Sequence, residues 1–423
     1  MASIRKLSIC VGSALLLMAS SAMAAPRTAT VRSLNTELPD ESKIIVPESF
    51  ETDVHKMMQN WYLQNYAVLD KDADRREAVT ASDRDYIDRL QRINTVIELP
   101  YNKIVRSFIN MYAERKKGLV EAMLGMSLYY MPIFEQALDK YGMPMELKYL
   151  PIIESALNPN AVSRAGATGL WQLMSATATG LGLEVNSVVD QRRDPYTSSD
   201  AAARYLRQLY RTYGDWSLTI AAYNCGPGNV NKALRRAGGG KRDFWEIYRF
   251  LPRETRDYIP AYIAATYIMN HYDKHNISPA LASKPIVTDT VHVSRRVHFE
   301  QISEVMDIPI EEIRILNPQY RQDVIPGNIK PYPLALPNMQ VYCYIANEDS
   351  IVNHNAEKYA RREVVNPSME TKSKDERGEY VEELVVKYHK VRRGETLSSI
   401  ANRYGGSASE IRKTNNIGRK VKR

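Results

Sequence analysis

Apolar side chains recur at helical spacing over most of the first two thirds of this 423-residue chain. Residues 86–141 predict several amphipathic helices, whose methionine and tyrosine stripes are typical of a buried core. From 143 to 272 the pattern predicts one helix after another, separated by loops that contain glycine or proline. A helix is predicted over 201–213, with an inward face formed by Ala202, Tyr205, Leu206 and Leu209. The pattern predicts a mainly α-helical protein.

The pattern changes after residue 280. Alternating side chains at 290–294 predict a strand and 334–337 predict a closing strand, with two short helices between them. We assign residues 285–345 to this small α+β module. Residues 346–385 are charged and poor in aliphatic side chains, which indicates a linker.

For the last segment, 386–423, a resemblance described below implies one strand and two helices without the closing strand. Without its partner the first strand has an unpaired edge, so we expect this tail to be poorly ordered. The tail holds eleven Lys or Arg residues against Glu395 and Glu410, while the whole chain has a net charge of +8. The basic character is therefore a property of the tail.

The N-terminus predicts an exported chain. Two basic residues precede an apolar stretch over 7–18, and small residues at 22–24 form a cleavage site. We assign residues 1–24 to a secretory signal peptide, which is too short to span a membrane. Cys10 lies inside the apolar stretch, so a lipid anchor is not expected. We expect a location in the periplasm or cell envelope, with no integral membrane segment in the mature chain.

Residues 25–85 predict a flexible leader followed by a helical segment. Three aspartates between 70 and 74 imitate the start of a calcium loop. Arg75 stands where the loop needs glycine, however, and Ala81 where it needs a bidentate glutamate. No metal site is predicted.

Cys225 and Cys343 remain once the signal peptide has been removed. Their spacing does not suggest a zinc site, and an exported chain can oxidise two such thiols to one disulfide. We favour a buried free thiol at Cys225.

Glu154 is the residue on which the functional prediction depends. It lies in the apolar run 150–157, near the end of a helix that Asn158 and Pro159 terminate. Partial burial raises the pKa of a carboxyl group, which suits a general acid near neutral pH. On this pattern alone, a glutamate that caps or pairs at a helix end is an equal alternative.

Four sequence blocks resemble the soluble-lytic-transglycosylase domain of murein-cleaving enzymes. They are Leu-Pro-Ile-Ile-Glu-Ser at 150–155, Gly-Leu-Trp-Gln at 169–172, Ala-Ala-Tyr-Asn-Cys-Gly-Pro-Gly at 221–228 and Glu-Thr-Arg-Asp-Tyr-Ile-Pro at 254–260. In the last block we predict a helix that begins at Tyr258, with Pro260 in its first turn. The resemblance implies a lysozyme-like (goose-type) catalytic domain over 86–280, with its motif core at 143–272.

The C-terminal part resembles LysM modules, which bind glycans that contain N-acetylglucosamine. Residues 388–405 resemble their first strand and helix, and 409–416 their second helix. The block 289–337 resembles a degenerate copy, for which a small appendage without a binding role is an alternative. The fold class is thus mainly α, with α+β LysM-like C-terminal modules.

The resemblance also implies a mechanism and a set of site residues. Glu154 would act as sole acid and base on the bond between N-acetylmuramic acid and N-acetylglucosamine, without metal or cofactor, giving a 1,6-anhydromuramoyl product. Ser155, Gln172 and Asn224 would bind the sugar, while Tyr223 and Tyr258 would orient Glu154 or the sugar. Ordinary core packing is the alternative for each tyrosine.

Two other functions remain open: a lysozyme-like muramidase that uses water, and a non-catalytic peptidoglycan-binding protein. The expected partners are peptidoglycan glycan strands, and the chain is expected to be a monomer. Nucleic acid is not expected, because the lysines of the tail are not interleaved with aromatic residues that could stack on bases. We expect the tail to bind the wall mainly by electrostatic attraction.

Overall fold

The structure is a computed structural model that describes residues 77, 79–240, 242–280, 287–359, 369–374, 380–385, 396–403, 408 and 411–412. The predicted signal peptide, the leader and the calcium-like aspartates lie outside the described residues. None of the helices described is long and apolar enough to cross a bilayer.

The first part of the described chain is helical, as the apolar pattern predicts. Its α-helices, α1 to α10, are in order Asp83–Arg92, Lys103–Asn110, Lys117–Lys140, Leu150–Ser155, Ser175–Gly180, Pro195–Tyr213, Trp216–Cys225, Pro227–Arg236, Phe244–Ile247 and Arg253–His271. Helix α6 shows why these sequences fold locally. The Asp194 carboxylate caps the backbone N–H of Thr197, and Pro195 occupies the first turn, where no backbone donor is needed.

The prediction for the start of α10 was wrong. The helix begins at Arg253, directly after Pro252, and Pro260 lies in its interior. A proline there removes one backbone hydrogen bond, which buried neighbours offset. The earlier start places Glu254 one turn before Tyr258, so both side chains lie on the same face of the helix.

A continuous core holds these helices together. Helix α3 packs against α6, and α10 packs against α2, α4 and α7. The predicted inward residues Ala202, Leu206 and Leu209 of α6 are buried. Trp171, which has no exposed surface, fills the centre and donates its indole hydrogen to Ser199 Oγ at 2.8 Å.

A small α+β module follows at 287–359. Strands β1 (Thr288–Val293) and β4 (Tyr332–Pro337) pair antiparallel, with Val291 opposite Leu334, and β2 (Arg296–His298) pairs with β3 (Val324–Pro326). Helices α11 (Phe299–Met306) and α12 (Ile310–Leu316) lie between β2 and β3 in sequence.

The module extends beyond the predicted linker start at 346. Helix α13 runs from Asn338 to Asn353 and α14 from Ala356 to Tyr359. Ile351 of α13 is fully buried. The polar residues of α13 cover only one face of the helix, and its apolar residues pack on the rest of the module. The charged composition therefore indicated a helix with one solvated face, where we had predicted a linker.

The module is docked on the helical part through a short hairpin, residues 184–191, which we call the docking hairpin. Val188 and Val189 of this hairpin are buried in the core of the module and not in the helical core. The Arg321 N–H donates to Val188 O at 2.8 Å, and Val189 forms a β-bridge with Tyr320. A segment of the helical part thus contributes two side chains to the apolar core of the module.

Towards the C-terminus the described residues form strands β5 (Met369–Lys374) and β6 (Tyr380–Val385), which pair antiparallel, and helix α15 (Leu397–Arg403). Most of the tail predicted to be poorly ordered lies outside the described residues. Within the described part, a small buried cluster joins Leu397, Ile400, Ala401 and Ile411. Cys225 and Cys343 are both free thiols, as we favoured for Cys225, but Cys225 is partly exposed and not buried as predicted.

Candidate active site

Glu154 lies in the last turn of α4, as the sequence predicts. Of residues 150–157 it alone is not buried, so its carboxylate reaches the surface from an apolar wall. The helix ends because Ala156 and Leu157 both adopt left-handed backbone, at φ 50° and 62°. This conformation is costly for residues other than glycine, and here the buried neighbours of Ala156 and Leu157 hold it in place.

The carboxyl group of Glu154 has two close electrostatic neighbours, both on α10. The buried Tyr258 donates its phenolic hydrogen to Glu154 Oε1. Glu254, which is exposed, adds a like charge. Burial raises the pKa of Glu154 to about 8; the Tyr258 hydrogen bond acts in the opposite direction, and Glu254 adds to the increase. The predicted increase is confirmed, and the group is mostly protonated at neutral pH.

Tyr223 and Asn224, at the end of α7, lie on the same side of the core. Tyr223 Oη donates to Trp171 O at 2.7 Å, and burial followed by the charge of Glu154 raises the pKa of this phenol well above its usual value. Asn224 Oδ1 accepts a hydrogen bond from Thr255 Oγ1 of α10 at 2.8 Å. Helices α7 and α10 therefore hold each other in register next to Glu154.

The loop 161–173, called the active-site loop below, contains Gln172. The Gln172 side-chain amide donates to Gly169 O at 2.8 Å and to Ala161 O at 3.2 Å, so its nitrogen closes the loop on itself. The backbone of Gln172 is left-handed, with φ 46°. Ser155 is buried, and its hydroxyl lies 3.0 Å from Leu170 O and 3.1 Å from Pro151 O. The loop is fixed by side chains from several elements.

The structure brings all six predicted site residues to one region, but with different exposure. Glu154, Gln172, Tyr223 and Asn224 are partly exposed, whereas Ser155 and Tyr258 are buried. Sequence reasoning missed Glu254, because the predicted helix start excluded it. It also missed Asp190, which forms a buried ion pair with Arg192 at 2.9 Å. The two residues are only two positions apart, and such local charge pairs give little sequence signal.

The arrangement provides a protonated acid at the surface of an apolar wall, with a phenol to hold it. Among the described residues, no group of three or more His, Cys, Asp or Glu side chains is placed to hold a metal ion. The chemistry within reach of these groups is transfer of a proton to or from a bound substrate.

Comparisons with protein families match three segments of the chain. The profile described as Transglycosylase SLT domain matches residues 131–245. The profile of the Lytic transglycosylase MltD, LysM-like domain matches 287–353, and the LysM domain profile matches 389–420. These matches agree with the predicted class, a mainly α-helical transglycosylase domain followed by LysM modules.

The chain is similar to curated proteins along most of its length. It is 30% identical over 328 residues to membrane-bound lytic murein transglycosylase D of Escherichia coli K12, covering 77% of this chain and 68% of the relative. It is 35% identical over 113 residues to the soluble lytic murein transglycosylase of the same strain, covering 25% of this chain and 17% of the relative. A solved structure of the 70 kDa soluble lytic transglycosylase from Escherichia coli aligns with a TM-score of 0.32 and 22% identity over 57% of this chain and 40% of that one.

Proposed function

The chain belongs to the family of membrane-bound lytic murein transglycosylase D, and on that premise we propose that it cleaves the β-1,4 bond between N-acetylmuramic acid and N-acetylglucosamine to give a 1,6-anhydromuramoyl product. Its transglycosylase SLT domain and its relatives support lytic transglycosylase activity on peptidoglycan. The observation that carries the mechanism is a single partly buried carboxyl group, Glu154, whose pKa of about 8 keeps it protonated at neutral pH.

In the proposed reaction Glu154 acts first as an acid and then as a base. Its carboxyl proton passes to the glycosidic oxygen, and the bond between that oxygen and the muramoyl C1 breaks. The acetamido group of the substrate stabilises the cationic carbon. The Glu154 carboxylate then takes the proton of the C6 hydroxyl, whose oxygen bonds to C1 and closes the anhydro ring. Glu154 ends the cycle protonated, and no water is consumed.

The remaining predicted residues divide between support of the acid, support of the cleft wall and binding of the sugar, and the proposed roles of Ser155 and Tyr223 change. Tyr258 supports the acid directly, because its hydroxyl donates to the Glu154 carboxylate that forms when the proton leaves. Tyr223 and Ser155 each contact a carbonyl of the active-site loop, which favours support of the cleft wall. Gln172 and Asn224 are partly exposed beside this wall and are the proposed contacts to the sugar.

Hydrolysis by a muramidase is the second candidate, and one observation bears on it. A hydrolase without substrate assistance needs a second carboxylate to activate water or to act as nucleophile. Glu254 is the acidic side chain whose charge acts on Glu154. Because the relatives of the chain are lytic transglycosylases, we favour the route through the substrate's own C6 hydroxyl.

We propose export to the periplasm by the signal peptide at 1–24, with the chain acting as a monomer on glycan strands of the cell wall. Two relatives that each cover 77% of this chain are membrane-bound lytic murein transglycosylases D. The two LysM matches support contact with peptidoglycan outside the catalytic domain.

Mass spectrometry of murein digested by the purified chain tests the proposal. The expected muropeptides are lighter by one water than the products of a muramidase, because the anhydro ring replaces a reducing end. Reducing muropeptides as the main product would establish hydrolysis instead, and the absence of any soluble fragment would support a non-catalytic wall-binding role.

A further inference from the structure

We infer that Asp190 and Arg192 are positioning residues through which the LysM-like module, residues 287–359, holds the active-site loop in place. The inference rests on the proposed function, since it assigns to the module a part in catalysis besides contact with the wall. Neither residue touches Glu154, so each acts through the loop.

The first link is between the ion pair and the loop. Arg192 Nε and Nη2 donate to the two oxygens of Asp190, each at 2.9 Å, and both side chains are almost fully buried. The third guanidinium nitrogen, Nη1, donates to Gly166 O at 3.0 Å and to Leu173 O at 3.3 Å. Arg192 thereby connects two distant points of the active-site loop with one rigid, planar group.

The second link is between the loop and the surroundings of Glu154. Leu170 O lies 3.0 Å from the hydroxyl of Ser155, the residue after Glu154. Trp171 O accepts the hydroxyl hydrogen of Tyr223 at 2.7 Å. Both carbonyls belong to the segment between the two attachment points of Arg192, so displacement of the loop would release both contacts.

The third link is between the ion pair and the module. The Asp190 N–H donates to Gln319 O at 2.9 Å, which ties the backbone of the ion pair to the module itself. Gln322 Nε2 donates to Ser187 O of the docking hairpin at 2.9 Å. Glu184, at the base of the hairpin, accepts the hydroxyl of Tyr332 at 2.8 Å and pairs with Lys330 at 2.8 Å. Module, hairpin, ion pair and loop form one connected series of contacts.

A loosened loop has a predictable electrostatic effect. The groups that act on Glu154 are Tyr258 and Glu254 of α10, while Tyr223 of α7 lies close enough to feel its charge. Neither α10 residue belongs to the loop, so their influence remains when the loop moves. Water that enters beside the loop would reduce the burial of Glu154, and its pKa would fall towards the ordinary value.

Arg192→Lys in the full-length chain tests the link between the ion pair and the active-site loop. Lysine keeps the charge but lacks the fork that spans Asp190 and two carbonyls. We expect faster amide hydrogen exchange in 161–173, a kcat about tenfold lower with little change in KM, and an alkaline limb of kcat/KM at lower pH. Arg204→Lys is the matched control. Arg204 bridges Asp200 and Leu181 O away from the loop, and its replacement should leave exchange in 161–173 and the pH limb unchanged.

A double variant, Gln322→Ala with Lys330→Ala, tests the module side without altering the loop or the ion pair. It should produce the same changes in loop exchange and in the pH limb, to a smaller degree, and it keeps the inference testable if Arg192→Lys does not fold. Unchanged exchange in 161–173 in folded Arg192→Lys, or in the double variant, would overturn the inference. Hydrogen exchange does not depend on turnover, so a wild-type chain that releases no anhydro product refutes the proposed function and leaves this measurement valid.

Discussion

Tyr258 donates its phenolic hydrogen to Oε1 of Glu154, across 104 residues of sequence. The contact joins the end of α4 to the middle of the second turn of α10 and holds the carboxyl at the surface of its apolar wall. A hydrogen bond to a carboxylate stabilises the ionised form, whereas burial destabilises it. The pKa of Glu154 therefore depends on two opposing effects, and burial, which raises it, is the larger.

Tyr258→Phe should move the alkaline limb of kcat/KM to higher pH. The substitution removes the hydrogen bond that lowers the pKa of Glu154 and leaves the buried ring in place. We also expect kcat to fall by about 10²-fold, because the carboxylate that forms during the reaction loses its donor. A limb at the wild-type pH, measured on soluble anhydro-product release, would show that the contact does not control the titration.

Glu254→Gln should have the opposite effect on the same limb. Removing the negative charge on the first turn of α10 makes ionisation of Glu154 easier, so the limb moves to lower pH. Glu311→Gln, which removes a partly exposed carboxylate of the module, is the control and should leave the profile unchanged. If Glu254→Gln instead abolished turnover at every pH, Glu254 would be the second carboxylate of a hydrolase.

Glu154→Gln should abolish murein turnover, with a loss of about 10²- to 10⁴-fold, while the fold is kept. The variant should also change the pH dependence of stability. The folded-state pKa lies above the unfolded one, so ionisation is harder in the folded state and wild-type stability declines between about pH 4.5 and 8. Thermal melts of Glu154→Gln across this range should lack that decline. Retained anhydromuropeptide release from the purified variant contradicts the assignment of the acid.

Gly169→Ala should displace the active-site loop. A Cβ at this position would lie 1.9 Å from Arg192 O. The backbone of Gly169 has φ +87°, a conformation that residues other than glycine rarely adopt. We expect a loss of about 2 kcal/mol in the free energy of unfolding together with lower activity. Gly180→Ala has open space around its Cβ and serves as the control in denaturant titrations. Equal stability of the two variants would mean that the loop can move without cost.

Deleting residues 386–423 should reduce sedimentation with insoluble murein at low ionic strength and leave cleavage of soluble fragments nearly unchanged. The reason is the excess of basic residues in this segment, whose attraction to anionic wall polymer is screened by salt. Binding that persists in high salt and is competed by chitin oligomers would instead show a folded glycan-binding module. The LysM profile match at 389–420 makes that outcome a direct alternative.

The sequence pattern predicted those features of the site that depend on residues adjacent in the chain. The apolar run around Glu154 predicted both its helix and its raised pKa, since burial follows from neighbours in sequence. The contact with Tyr258 could be inferred only from the resemblance, because nothing in the spacing of the chain brings α4 to α10. The start of α10 was misplaced since Pro260 was taken for a first-turn residue, and the error removed Glu254 from the predicted site.

The docking of the module on the helical part could not be predicted either, and the reason is different. Val188 and Val189 lie in the mixed polar and apolar stretch Glu-Val-Asn-Ser-Val-Val-Asp at 184–190, which would suit a surface hairpin of any small domain. Which core they enter depends on the surface of a module that begins a hundred residues later. Ile351 likewise lies in a segment whose composition suggested a linker, and only its packing shows that it belongs to the module.

The burial of the docking hairpin in the core of the module has a consequence for how the molecule unfolds. Each of the two hairpin valines contributes about 1.5 kcal/mol by burial, and this contribution is lost if either part unfolds first. The helical part and residues 287–359 should therefore melt in a single cooperative transition, although two family profiles cover them. Removal of residues 287–423 would expose both valines to water, and the remaining helical part should melt at a lower temperature than the full-length chain.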